Sequence, residues 1–404
     1  MLGIRDKNIW LVYLTIFLLG TAYGASLSVT PLQLAAAHFS TDQIGTLAVW
    51  FAGGIVSMSL PAGVFVRRLS AKATLVTCLA VYALAASLFP LQSSYVGAGV
   101  VRALDGAASV GVWVACETIL LSRSEKSKKG LVMSLNAMAI ALGYVAGSGF
   151  ARLITIVAAY REVFFCASAL ALVAAAVVMV ALDGDALGAK AKPAEHATAE
   201  PAGLAFSALA WRIKTSCLGT FSYGYFQASV VLFLPLYLVE SKGIAKADTM
   251  LITAFFAAGM LIFSSVAARA GDRLGHLRVM RLLAAIGLVM TLGFAWLTSW
   301  PLMCAAIFVA GATLASISPV SLALQGHLVP PGDYSRANAV YNAWYAVGML
   351  LGPPISSRLM TRYGGAVMLV HLAALWGGFV LFTVVFRRDE PSRAQSLVSA
   401  RSTS

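Results

Sequence analysis

Arg102 and Asp105 stand three residues apart inside an apolar run long enough to cross a bilayer, and charge in that setting demands a chemical reason. At 100° per residue Arg102, Asp105, Gly106, Ser109, Trp113 and Glu117 share an arc of roughly 120° on a helix. One polar stripe on an otherwise lipid-compatible helix should line protein interior or water. Arg102 and Asp105 are close enough to pair, whereas Glu117 lies roughly 22 Å from Arg102 along the axis and forms a separate site. Burial disfavours a carboxylate charge and an adjacent guanidinium favours it, so a movement that separates the two would draw in a proton. A permanent ion pair that fixes helix packing is the competing expectation. Glu117 shares its depth with Arg67, Arg68 and Arg123, which suits a gate latch.

Neutral polar and aromatic residues supply the candidate ligand contacts. They are Tyr23 with Ser26 and Thr30, Trp113, Asn136, Ser216 and Thr220 with Tyr223 and Gln227, and Asn338 and Asn342 with Tyr345. Such groups suit an uncharged or amphipathic small molecule, although the same residues also bond membrane helices to one another. His371 is expected to serve packing or interfacial placement. No metal-ligand spacing, phosphate-binding loop or nucleophile with its base is present, so the chain reads as neither an enzyme nor a nucleotide-driven pump, with no cofactor.

The elements that hold these residues must be membrane helices. The 404 residues are 60% hydrophobic and 11% charged, with a mean hydropathy of +0.84, far from a soluble domain. Twelve apolar runs cover 8–30, 41–66, 73–91, 94–121, 129–152, 160–182, 213–239, 248–268, 279–299, 300–325, 337–357 and 365–386. The net charge of +13 is dispersed over short loops, which excludes a nucleic-acid face. With both termini inside, Arg152, Arg161, Lys242, Lys246, Arg358 and Arg362 fall outside, Arg102 lies within a helix, and the other 22 of the 29 basic residues face the cytoplasm. Cys78, Cys116, Cys166, Cys217 and Cys304 all fall within spans and read as packing residues.

Two copies of one pattern organise these spans. Phe51, Gly54, Arg68 and the stretch 61–73 recur 205 positions later as Phe256, Gly259, Arg273 and 266–278, and Gly143 with Gly147 recurs as Gly348 with Gly352. The expected architecture is all-α, with a six-helix bundle at 1–182, a cytoplasmic linker at 183–212 carrying some helix near 206–211, a second bundle at 213–386 and a polar tail at 387–404.

Within the second copy, Gly271-Asp272-Arg273-Leu274-Gly275-His276-Leu277-Arg278 resembles the loop signature of the major facilitator superfamily. The first copy departs from it, with Arg67 in place of the acid, Ser70 in place of the glycine and Ala71 in place of a base. Arg102-Ala103-Leu104-Asp105-Gly106 is similar to the superfamily's arginine motif, and Gly348-Met349-Leu350-Leu351-Gly352-Pro353-Pro354 to its Gly-x-x-x-Gly-Pro pattern. The resemblance implies a bacterial inner-membrane transporter, drug/proton-antiporter-like and monomeric, whose halves alternate around a central cavity. By the same resemblance Asp272, Arg273, Gly275 and Arg278 hold a cytoplasmic gate. The four-residue spacing of Gly348 and Gly352 permits close helix approach and Pro353 interrupts backbone bonding, so Gly352 with Pro353 is expected to shape a pivot. The expected partners are a small-molecule substrate, protons and the lipid bilayer. Proton-coupled efflux leads, with proton-coupled uptake and a non-transporting sensor or scaffold as alternatives.

Overall fold

Helix is the one regular backbone form among the described residues, as expected where lipid offers no partner for backbone polar groups. The computed structural model describes residues 6–125, 129–183, 205–330 and 333–389. Most of the expected linker, 184–204, and the tail at 390–404 lie outside them, as do Arg5, Lys126 and Lys128 of the basic residues assigned to the inner side. The helices are α1 (Lys7–Ala36), α2 (Thr41–Leu69), α3 (Ala71–Leu88), α4 (Tyr95–Arg123), α5 (Lys129–Val157), α6 (Tyr160–Ala181), α7 (Phe206–Arg212) and α8 (Lys214–Lys242). They continue with α9 (Lys246–Thr249), α10 (Leu251–Leu274), α11 (His276–Phe294), α12 (Trp300–Ala310), α13 (Ile317–Leu328), α14 (Tyr334–Tyr363) and α15 (Gly365–Val385). A π-helical stretch, Gly311–Ala315, joins α12 to α13.

Each expected run overlaps helix, and most helices outrun the apolar cores, whereas α11 stops at Phe294, short of the end of the expected 279–299. Among the described residues ten spans are long and apolar enough to cross a bilayer, and α2, bent by 49° between Thr41–Ser59 and Pro61–Leu69, raises this to eleven. The bend has a cause in Pro61, which cannot donate to the preceding turn. The expected span at 337–357 lies in α14, which has the length, 30 residues, but carries Asn338, Asn342, Ser356 and Ser357 and falls short on apolarity. Caps end these helices sharply. Ser40 and Gln43 close a capping box on α2, and Asp6 accepts the Asn8 amide at 2.8 Å at the start of α1.

The described residues fall into two compact units. The first takes α1 to α6 with Val230–Ala258 and Pro353–Arg358; the second takes α7, α8 as far as Ser229, Gly259–Gly352 and the chain from Leu359. In the first unit α1 packs on α5 and α6, α2 on α4, and α3 on α4 and α6. Helix α6 shows how lipid reverses soluble-protein logic: Ala167, Ala171, Ala174 and Ala175 are buried, while Leu172, Val173, Met179 and Val180 face outward. Apolar side chains gain little by leaving hydrocarbon, so close approach of small residues decides the contact.

The duplication persists as packing. A methyl on Gly54 would strike the carbonyl oxygen of Ala103, and one on Gly259 that of Phe308, the pair 205 positions on. Gly143 and Gly147 press on α1 at Phe17, Gly20 and Thr21, as Gly348 and Gly352 press on α8 at Phe221 and Tyr225. The turns also match. Ser70 has φ +97° between α2 and α3, and Gly275 has φ +102° between α10 and α11. The first copy therefore keeps the backbone shape of a glycine turn while holding a serine, a strained arrangement compensated by Ser70 Oγ accepting the Ala73 amide.

Candidate functional site

Helix α4 brings Arg102 and Asp105 together as expected for residues three apart. Arg102 Nη1 donates to Asp105 Oδ2 at 2.6 Å, and both side chains are mostly buried, at 11% and 14% exposure. The guanidinium lies 4.4 Å from the centre of the Phe51 ring and 5.8 Å from that of Phe89, so its faces meet aromatic π systems instead of water. Ser109, one turn on, directs its hydroxyl to the backbone carbonyl of Asp105. Asp105 Oδ1 is left buried without a hydrogen-bond partner. A carboxylate oxygen in that condition is poised to take up a proton or a donor group.

Tyr23 of α1 faces this pair through Phe51, with ring centres 6.3 Å apart, and is flanked by Tyr82 at 6.0 Å and Tyr144 at 5.9 Å. Tyr82 and Tyr144 escaped the sequence reading, since neither stands near a charge in sequence. Asn136 of α5 keeps a buried Oδ1 with no hydrogen-bond partner. Trp113 is half-buried on α4. The rest of the α4 stripe divides. Gly106 faces the α2 backbone at Phe51, so it serves helix contact and not a cavity. Glu117 is exposed and forms no ion pair among the described residues, and Arg123 reaches Asp6 at 3.5 Å instead. An apolar groove of about 500 Å³ runs between α2 and α4, lined by Trp50, Gly53, Ser57 and Leu104 with no charged residue.

In the second unit Tyr345 donates to Gln227 Oε1 at 2.8 Å, and the Tyr223 and Tyr345 rings lie 6.0 Å apart. Three of the expected ligand residues thus form one cluster. Asn338 and Asn342 stand exposed on α14 one turn apart. Tyr341, which the sequence reading passed over, is buried and bonded to the hydroxyls of Ser318 and Ser321 at 3.1 and 2.8 Å. His371 meets the Tyr225 hydroxyl at 3.2 Å, a packing role. The positions 205 beyond Arg102 and Asp105 hold Ile307 and Ala310, both buried, so the charged pair belongs to one copy only.

Of the gate residues, Gly275 forms the α10–α11 turn and Asp272 Oδ1 lies 3.2 Å from His276 Nε2. Arg273 and Arg278 are exposed on either side of it. Sequence spacing offered no metal-ligand set; in the fold His327, on a different helix, comes near Asp272 and His276, with one ring nitrogen or carboxylate oxygen of each within 4.8 Å of the others. Gly352 abuts Tyr225 and Ser229, and Pro353 begins the part of α14 that packs with the first unit, where Gly45 sits against Ser357 and the Pro353 carbonyl. Also in that unit, Arg152 donates through Nε and Nη2 to Asp248 Oδ1 at 3.0 and 2.8 Å. In the sequence alone Arg152 marks only a topological charge.

Comparison with known proteins agrees with this architecture. The family model described as Major Facilitator Superfamily matches residues 12–214 and 216–402. An uncharacterized MFS-type transporter of Yersinia pestis is 25% identical over 364 residues, covering 90% of this chain and 91% of its own. The uncharacterized MFS-type transporter YcaD of Salmonella enteritidis is 23% identical over 395 residues, covering 94% and 96%. Among solved structures, the nucleoside transporter NupG superposes with a TM-score of 0.77 at 13% identity over 94% of this chain and 99% of that one. A bacterial homologue of the human lysosomal transporter Spinster gives 0.79 at 13% over 97% and 100%, and the fucose:proton symporter FucP of E. coli 0.61 at 17% over 95% and 98%.

Proposed function

The chain belongs to the Major Facilitator Superfamily and is a multi-pass secondary transporter, and from that premise we propose that it couples efflux of a small organic compound to proton entry through Asp105. The observation that carries the reading is the half-satisfied carboxylate, with Oδ2 on Arg102 and Oδ1 buried and unbonded. Proton arrival at Oδ1 neutralises the acid and loosens its hold on Arg102; departure restores the pair. Alternation of two six-helix bundles, 1–182 and 213–386, exposes the pair to one side and then the other. Tyr23, Trp113, Asn136, Tyr223, Gln227, Asn338, Asn342 and Tyr345 contact the substrate, whose class is uncharged or amphipathic because aromatic and amide groups predominate among them. The basic bias of the loops supports a bacterial inner-membrane location with both termini in the cytoplasm, and the superfamily supports a monomer.

Proton-linked uptake is the second reading, favoured by the likeness to the fucose:proton symporter. Proteoliposomes with a trapped pH-sensitive dye test both. A panel of nucleosides, sugars, organic anions and amphipathic cations is added under an imposed pH gradient. Efflux coupling makes substrate and proton move in opposite directions, and uptake coupling makes them move together. Asp105→Asn should abolish compound-dependent proton movement while leaving compound exchange across the vesicle wall. Unchanged proton movement in Asp105→Asn would remove Asp105 from the coupling step.

A further inference from the structure

We propose that Asp272, His276 and His327 form a binding site for a divalent transition-metal ion of the Zn²⁺ class, a site separate from the transport chemistry above. The end of α10 supplies Asp272, the first turn of α11 supplies His276, and the last turn of α13 supplies His327. Their ligand atoms all lie within 4.8 Å of one another. The Asp272 Oδ1 to His276 Nε2 distance is 3.2 Å, close to the edge of about 3.4 Å that tetrahedral bonds of about 2.0–2.1 Å imply.

The local fold prepares this convergence. Gly275 turns the chain at φ +102°, so that α11 starts against the last turn of α10. Gly271 leaves space for the imidazole, since a methyl there would meet His276 Cδ2 at 3.0 Å. His276 is consequently held at 7% side-chain exposure, and the His327 ring lies 5.0 Å from it, centre to centre, at 46°. One ligand is fixed, while Asp272 and His327 are exposed and able to rotate through the remaining distance. Two imidazoles with one carboxylate select zinc, cobalt or nickel over magnesium and calcium, which take oxygen donors. Three protein ligands leave a position for water, so the ion would exchange with its surroundings instead of being sealed in. Bound metal would tie the ends of α10, α11 and α13 together and draw on the carboxylate of Asp272.

The test uses the full chain, purified in detergent with any affinity tag removed, and Co²⁺ as the probe because its ligand-field absorption reports coordination directly. Wild type should bind one Co²⁺ per chain, displaced by Zn²⁺ and not by Mg²⁺. Asp272→Asn and His327→Gln, both at exposed positions, should each weaken binding at least about tenfold, the lower end of what even an outer-shell change costs. His38→Asn, in the first compact unit, should bind as wild type. Absence of Co²⁺ absorption in wild type, undiminished binding in either ligand variant, or loss of binding in His38→Asn would overturn the site.

Discussion

At the scale of single residues, Arg102 and Asp105 are worth less as a pair than either is worth to the other. Removing Arg102 alone leaves a mostly buried carboxylate with nothing to balance it, and such a loss costs about 3–5 kcal/mol. Replacing both by apolar residues of similar size removes the problem along with the pair. Arg102→Ala should therefore lower the thermal midpoint in detergent far more than the double variant Arg102→Met with Asp105→Leu. Equal destabilisation would mean that the carboxylate finds another partner in the folded protein. The pair itself was legible in the sequence, because two charges three apart in an apolar run can hardly avoid each other. Tyr82 and Tyr144 were not, since their places beside Tyr23 depend on three helices meeting.

At the scale of elements, glycine seams decide which helices touch. A methyl on Gly147 would meet the Thr21 carbonyl and lie 2.7 Å from the Ala25 nitrogen, and one on Gly348 would lie 2.8 Å from the Tyr225 nitrogen. Gly147→Ala and Gly348→Ala should each destabilise by about 1–3 kcal/mol through overpacking. Gly53→Ala and Gly149→Ala meet nothing within 4 Å and should be neutral or stabilise by about 0.5–1 kcal/mol. A uniform response across the four positions in thermal melts would refute the seams. At the helix ends, Lys7 and then Asn8 hydrogen-bond Asp183 just beyond α6 and hold its carboxyl below the usual carboxylate range. A lowered folded value means that the contribution is present above the ordinary value of about 4 and lost as pH falls through the folded value. The difference in melting between wild type and Asp183→Asn should thus be constant at neutral pH and vanish in acid. Apolar run length disclosed nearly every span. It under-read mainly the C-terminal ends, where α1, α5, α10 and α14 run on to Ala36, Val157, Leu274 and Tyr363, past the expected 30, 152, 268 and 357, because hydropathy marks the lipid-facing length and backbone hydrogen bonds carry a helix beyond it. Arg152 with Asp248 and His276 with His327 stayed hidden, being pairs made across helices by residues far apart in the chain.

At the scale of the whole molecule, residues from both copies of the duplication share the first unit: Gly45 of α2 lies against Ser357 of α14, and Arg152 of α5 holds Asp248 of α9. If transport requires these helices to part, joining them should stop it. Arg152→Cys with Asp248→Cys, joined by a bifunctional thiol reagent that carries a reducible disulfide, should silence the proteoliposome flux and recover with reductant. A cross-linked protein that still transports would show that α5 and α9 need not separate. The confinement of the Arg102–Asp105 pair to one copy, with Ile307 and Ala310 at the equivalent places, has an electrical consequence. If Asp105 carries the coupling proton as proposed, the bonded pair is neutral and the protonated pair carries a single positive charge, with no acid at the two equivalent places of the other copy to offset it. Carrying that charge through the field of an energised membrane would contribute about 2.3 kcal/mol per 100 mV, so voltage alone, without a pH difference, should suffice to turn the cycle.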